Sequence, residues 1–315
     1  MTLHGTRYFY DNASNREGRS RKRSRERPSL SHAMNPHSQF ITHPTGETTH
    51  FIADCHADPW KPCETVLLQG GFGRHSAFFY HWIPALSRHY NVIRRDLRGH
   101  GLSSAPSIRD KPESYTLDTI LAEIVDTLDQ LKVDKVHFFG ESTSGILGEI
   151  FAARYPDRLL SLTICSSPTH LPQAALDLFA MGQPSWPEAC RTLGSRGWGQ
   201  ALSERPGTMA SKDRGYRKWW LDQVSISSGE GLGSYAEFLC TIDSRPVLGS
   251  IKVPMLILAP TNSAATTVAA QKEIQRQIGS HCRLVEVDGP GHEIYMDAAD
   301  DCISAFLDFI KSVKR

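Results

Sequence analysis

From residue 48 onward the apolar positions follow two alternating rhythms. Short runs rich in β-branched and aromatic side chains predict strands at 48–55 (TTHFIADC), 65–70 (TVLLQG), 91–96 (NVIRRD), 135–140 (KVHFFG), 159–166 (LLSLTICS), 253–260 (VPMLILAP) and 283–289 (RLVEVDG). Between and after them, segments 78–89, 116–131, 144–155, 268–278 and 300–313 predict helices. The second of these is the clearest, because Leu117, Ile120, Leu121, Ile124, Leu128 and Leu131 fall on one helix face. The third stops before Pro156, which cannot continue a helix. Strand–helix alternation of this kind predicts an α/β fold: a mostly parallel central sheet with helices on both faces.

Two stretches break the rhythm. Residues 1–38 are polar around the run REGRSRKRSRER (16–27), carry no apolar pattern, and are expected to be a disordered basic extension. That run reads either as a nuclear-localisation or anionic-surface patch or, more simply, as a solvated tail. Residues 168–248 lack strong strands and hold Trp186, Trp198, Trp219 and Trp220, four of the six tryptophans. An aromatic-rich helical insertion there, within a core of 39–167 and 249–315, suits a cap over a site mouth. The same rings could equally form the insertion's own small core.

Composition narrows the class. Net charge is +1, but residues 1–33 carry a surplus of +5, so the remainder has no basic bias and nucleic acid is not expected as a partner. The seven cysteines are scattered without CxxC spacing, which disfavours a disulfide framework or zinc site and points to a reducing, cytoplasmic compartment. No apolar run approaches bilayer length, so no membrane partner is expected.

The chemistry concentrates in FFGESTSGILGE (138–149), where a predicted strand runs through a tight turn into a predicted helix. A serine on such a turn is exposed beyond the carboxyl end of the sheet, beside a helix N-terminus that favours developing negative charge. The turn needs small residues two before and two after the nucleophile. Gly140 and Ser144 meet that need around Ser142, whereas Ser144 as nucleophile would place Ile146 at a small position.

With this strand–turn–helix context, residues 48–313 resemble the α/β-hydrolase family. LLQGGFGRHS (67–76) looks like the family's oxyanion loop, with Gly70-Gly71 in place of the usual His-Gly. RRDLRGHGLSS (94–104) is similar to its turn after the fourth strand, and VDGPGHEIYM (287–296) to its histidine loop. His292, after the last strand, is therefore the expected general base for Ser142. The resemblance implies that the backbone N–H groups of Phe72 and Thr143 form the oxyanion hole. Asp96 and Arg98 are expected to brace their loop, with His100 a weaker candidate for the pocket.

The expected acid is absent. The family's usual position, nine residues past Pro254, holds Ser263, and the less common one holds Ser166 and Ser167. Asp243 ranks first as a substitute acid; Asp288 and Glu293 flank the histidine loop, and Glu141 is expected to point away from the nucleophile. The Ser142/His292 pairing together with the tryptophan-bearing insertion leads to the expectation of a serine hydrolase, needing no cofactor or metal, that acts on a small, fairly apolar ester, lactone or similar acyl compound. Two alternatives use the same framework: a C–C bond hydrolase or lyase acting on a dioxo compound, or a ligand-binding receptor with little turnover.

Overall fold

The computed structural model describes residues 37–209 and 213–313. Residues 1–36 of the expected extension lie outside them. The boundary at 38 needs correcting, because Ser38 already pairs with Ile52 in an edge strand that the sequence pattern did not disclose.

Eight strands, β1 (Ser38–Thr42), β2 (Thr48–Asp54), β3 (Thr65–Gln69), β4 (Asn91–Arg95), β5 (Val136–Glu141), β6 (Leu159–Cys165), β7 (Met255–Pro260) and β8 (Cys282–Val287), form one sheet in the order β1-β2-β4-β3-β5-β6-β7-β8. β1 and β2 pair antiparallel with their neighbours; every other pairing is parallel. β3, β5 and β7 are buried at every position, as parallel strands covered on both faces must be.

Consecutive residues of β5 show both layers, because strand side chains alternate between faces. Phe138 stacks on Phe151 of α3 (Thr143–Arg154), whereas Phe139 meets Trp82 and Phe306 on the other side. Trp82 caps the short α1 (Ile83–Leu86), and Phe306 belongs to α10 (Ala299–Ser312). The single helix expected over 78–89 is instead a 3₁₀ turn, Ser76–Phe79, followed by α1, which carries Pro84 in its first turn. α2 (Leu117–Gln130) starts at Thr116, whose side chain accepts from the Thr119 N–H.

Between β6 and β7 the described residues form four α-helices, α4 (Gln173–Ala180), α5 (Trp186–Ser203), α6 (Arg214–Val224) and α7 (Gly229–Leu239), and a 3₁₀ turn, Arg245–Ser250. α5 is broken at Gly194, whose φ of 67° interrupts the helical path. Trp186, Trp198 and Trp220 from these helices are almost completely buried. Their rings pack on the loop after β3: Phe72 lies 4.4 Å from Trp186 and 5.0 Å from Trp198, centroid to centroid. These tryptophans therefore join insertion to core rather than serving either alone. α8 (Val268–Ile278) and α9 (Ile294–Asp297) complete the α-helices among the described residues.

The strand order reverses at β3, with β4 on one side and β5 on the other, so the loops after β3 and β5 adjoin at the carboxyl edge. Such a switch point is where open α/β sheets hold ligands.

Candidate active site

Ser142 is the hinge between β5 and α3, with φ 50° and ψ −123°. A non-glycine residue in this region costs on the order of 1–3 kcal/mol and persists only where its surroundings enforce it. They do so here by close backbone approach. A Cβ on Gly140 would lie 2.6 Å from the Ser144 carbonyl oxygen, and one on Gly71 would lie 2.8 Å from the Ser142 Cβ. Ser144, tolerated as the second small residue, donates its hydroxyl to the Gly70 carbonyl at 2.6 Å and ties the two loops together.

His292 reaches Ser142 from the loop after β8. Its Nε2 lies 2.9 Å from Ser142 Oγ, and its Nδ1 lies 2.8 Å from Ser263 Oγ. Ser166, itself at φ 53°, donates to the His292 carbonyl at 2.7 Å and anchors that loop. Burial pushes the His292 pKa down to about 4, and the nearby Arg74 cation acts in the same direction. The imidazole is neutral at pH 7.

Phe72 and Thr143 meet as well. The Phe72 N–H donates to Thr143 Oγ1 at 3.1 Å, a side-chain contact that spacing alone does not disclose. Thr143 opens α3, so its backbone N–H belongs to the first turn, which has no intrahelical acceptor.

Asp243 is not at the imidazole. Both its carboxylate oxygens bind the Arg245 guanidinium at 2.6–3.0 Å, and one also accepts the Arg245 N–H. It orders the turn leading into β7, and the contact to His292 Nδ1 is made by Ser263. Asp288 is engaged by Thr261 and Asn262. Glu141, by contrast, does not turn away: it accepts the Gly71 N–H at 2.7 Å, and its other oxygen lies 3.9 Å from His292 Nε2. Burial, its main perturbation, raises its pKa to about 7.

Glu293 completes a buried network that sequence position alone left unassigned. It forms an ion pair with Arg74 and accepts from Trp220 Nε1 at 3.1 Å and Tyr216 Oη at 3.4 Å. Arg74 also donates to the Phe72 carbonyl at 2.8 Å and lies over the Trp220 ring at 4.8 Å. Asp96 braces its loop by accepting from the Ser76 and Leu102 N–H groups and bonding His50 Nδ1 at 2.7 Å. Arg98 pairs with Glu47 and Glu123. His100 is buried with its ring 5.4 Å from that of Phe72, and burial depresses its pKa to about 4. Among the described residues no His/Cys/Asp/Glu group could hold a metal, and no helix is long and apolar enough to cross a membrane.

This strand order, with a serine elbow after β5 and a histidine loop after β8, is the layout of an α/β-hydrolase. The chain belongs to that family: residues 64–299 match the family model for the alpha/beta hydrolase fold. Over 283 residues it is 24% identical to 3-oxoadipate enol-lactonase 1 of Acinetobacter baylyi, covering 88% of this chain and 98% of that one. It is 32% identical to mouse epoxide hydrolase 4 over 127 residues, 39% of this chain and 33% of that protein. The enol-lactonase from Burkholderia xenovorans LB400 has the same fold, with a TM-score of 0.76 at 24% identity, over 87% of this chain and all of that one. A thermophilic esterase from Thermogutta terrifontis superimposes with a TM-score of 0.74 at 19% identity, covering 88% of this chain and 99% of its own.

Proposed function

We propose that this hydrolase cleaves a small, fairly apolar ester or lactone through an acyl-enzyme on Ser142. The observation that carries the reading is the 2.9 Å contact between Ser142 Oγ and His292 Nε2 at a strained strand-to-helix turn. As Ser142 Oγ bonds to the substrate carbonyl carbon, His292 takes its proton, and later returns one to the leaving group. The developing oxyanion is received by the N–H groups of Phe72 and Thr143, each worth on the order of 3 kcal/mol in the transition state. The Thr143 hydroxyl that now accepts the Phe72 N–H gives way to the substrate oxygen. Phe72, Trp186 and Trp198 supply an apolar wall, and helices α4–α7 act as a cap over it. The enol-lactonase relatives support the ester and lactone class.

A fluorophosphonate probe tests the mechanism. Wild type is labelled and S142A and H292A are not; equal labelling of all three would refute the assignment. Turnover on a panel of p-nitrophenyl esters and simple lactones then defines the acyl group.

A further inference from the structure

Ser263 stands where the family's acid is expected, and its hydroxyl has three nitrogen neighbours: His292 Nδ1 at 2.8 Å, the Ala265 N–H at 3.1 Å and the Thr266 N–H at 3.3 Å. The two backbone groups can only donate, so they occupy the oxygen's two lone pairs. The hydroxyl proton is left for the third neighbour, Nδ1. A neutral imidazole that accepts at Nδ1 carries its own proton on Nε2. At Nε2 that proton has an acceptor at hand in Ser142 Oγ, 2.9 Å away.

We propose that Ser263 is a positioning residue that holds His292 in its Nε2–H tautomer in the resting protein, so that the base is masked. The inference rests on the Ser142–His292 reading above. To accept the Ser142 proton, Nε2 needs a free lone pair. One proton must therefore pass from Nε2 to water and one from water to Nδ1, with no net change in charge. In the same step the Ser263 hydroxyl changes from donor to acceptor, and one backbone N–H loses its share of the oxygen. A carboxylate at this position would behave differently. It can only accept, and so enforces the Nδ1–H tautomer that a serine nucleophile requires.

Two measurements on the full chain test this. With ¹⁵N-labelled histidine, a long-range ¹H–¹⁵N correlation spectrum near neutral pH, assigned by loss of the signal in H292N, reads the tautomer directly. The expected result is a proton on Nε2 in wild type and on Nδ1 in S263D. Fluorophosphonate labelling supplies the rates. S263A, which has no proton to donate, is labelled at least as fast as wild type, and S263D about tenfold or more faster. A wild-type proton on Nδ1 would overturn the proposal. So would labelling of S263A more than about tenfold slower than wild type, the signature of a hydroxyl that orients the productive ring. An Nε2–H signal in a wild type that never labels would support the tautomer assignment and refute the hydrolase reading. Should S263D fail to fold, the wild-type spectrum and S263A still decide the matter.

Discussion

The Ser263 hydroxyl beside His292 bears on how readily the imidazole takes a proton. It is uncharged, so nothing on the Nδ1 side raises the imidazole's affinity for a proton, and burial holds the pKa near 4. In the proposed mechanism His292 is the general base, which works only when unprotonated, and the ring protonates below its pKa. The acid limb of kcat/KM is therefore expected near pH 4. Ser263→Asp adds a negative charge beside Nδ1 and moves that limb upward by about one unit or more. A wild-type limb at or above the ordinary histidine value would contradict this. Asp243 makes the converse case. Its carboxylate is spent on Arg245, so Asp243→Asn is expected to leave kcat/KM within about twofold of wild type, as an exposed ion pair contributes about 0–1 kcal/mol.

Among elements, three are joined at one buried ion pair. Arg74 from the loop after β3 and Glu293 from the loop before α9 bind each other, and α6 adds Trp220 and Tyr216 to Glu293. Breaking a buried pair on one side strands a charge, at about 3–5 kcal/mol. Arg74→Met is expected to lower the urea midpoint accordingly. The double variant Arg74→Met, Glu293→Gln is expected to recover part of that loss, because no uncompensated charge remains. A double variant less stable than Arg74→Met would show that the pair matters through geometry rather than charge. Since Arg74 also depresses the His292 pKa, losing the cation should raise the acid limb as well.

For the molecule as a whole, the loss of stability toward alkaline pH is expected to include a large share from Glu149. It lies on α3, a helix buried on all sides from Thr143 to Ala152, and accepts from Ser244 Oγ at 2.5 Å. Its other oxygen is buried and has no hydrogen-bond partner among the described residues. Burial raises its pKa to about 8 from an ordinary 4.5. The folded state thus binds a proton that the unfolded chain has released between those values, and stability falls as pH rises through that window. Glu149→Gln keeps the shape and removes the ionisation. Its Tm is expected to exceed wild type by about 3–6 °C at pH 8, with little difference at pH 5. Parallel Tm–pH curves for the two proteins would place the pH dependence elsewhere.

The primary sequence was enough to determine most of the alternation of strands and helices, because buried parallel strands read as near-continuous apolar runs and amphipathic helices repeat near 3.6 residues. It also determined the candidate elbow: only small residues at 140 and 144 let the chain turn so sharply at Ser142, and the histidine loop is local to the last strand. Other features depended on contacts between residues far apart in the chain. The edge strand at Ser38 exists because Ile52 is available to pair with it. The tryptophans of α5 and α6 belong to the core because Phe72 and Arg74 meet them across the insertion. Asp243, chosen for its chemical type, is occupied by Arg245 two residues away, whereas Ser263 reaches the imidazole across 29 residues of chain. Residue type shows what a group could do, and only packing decides what stands within 3 Å of it.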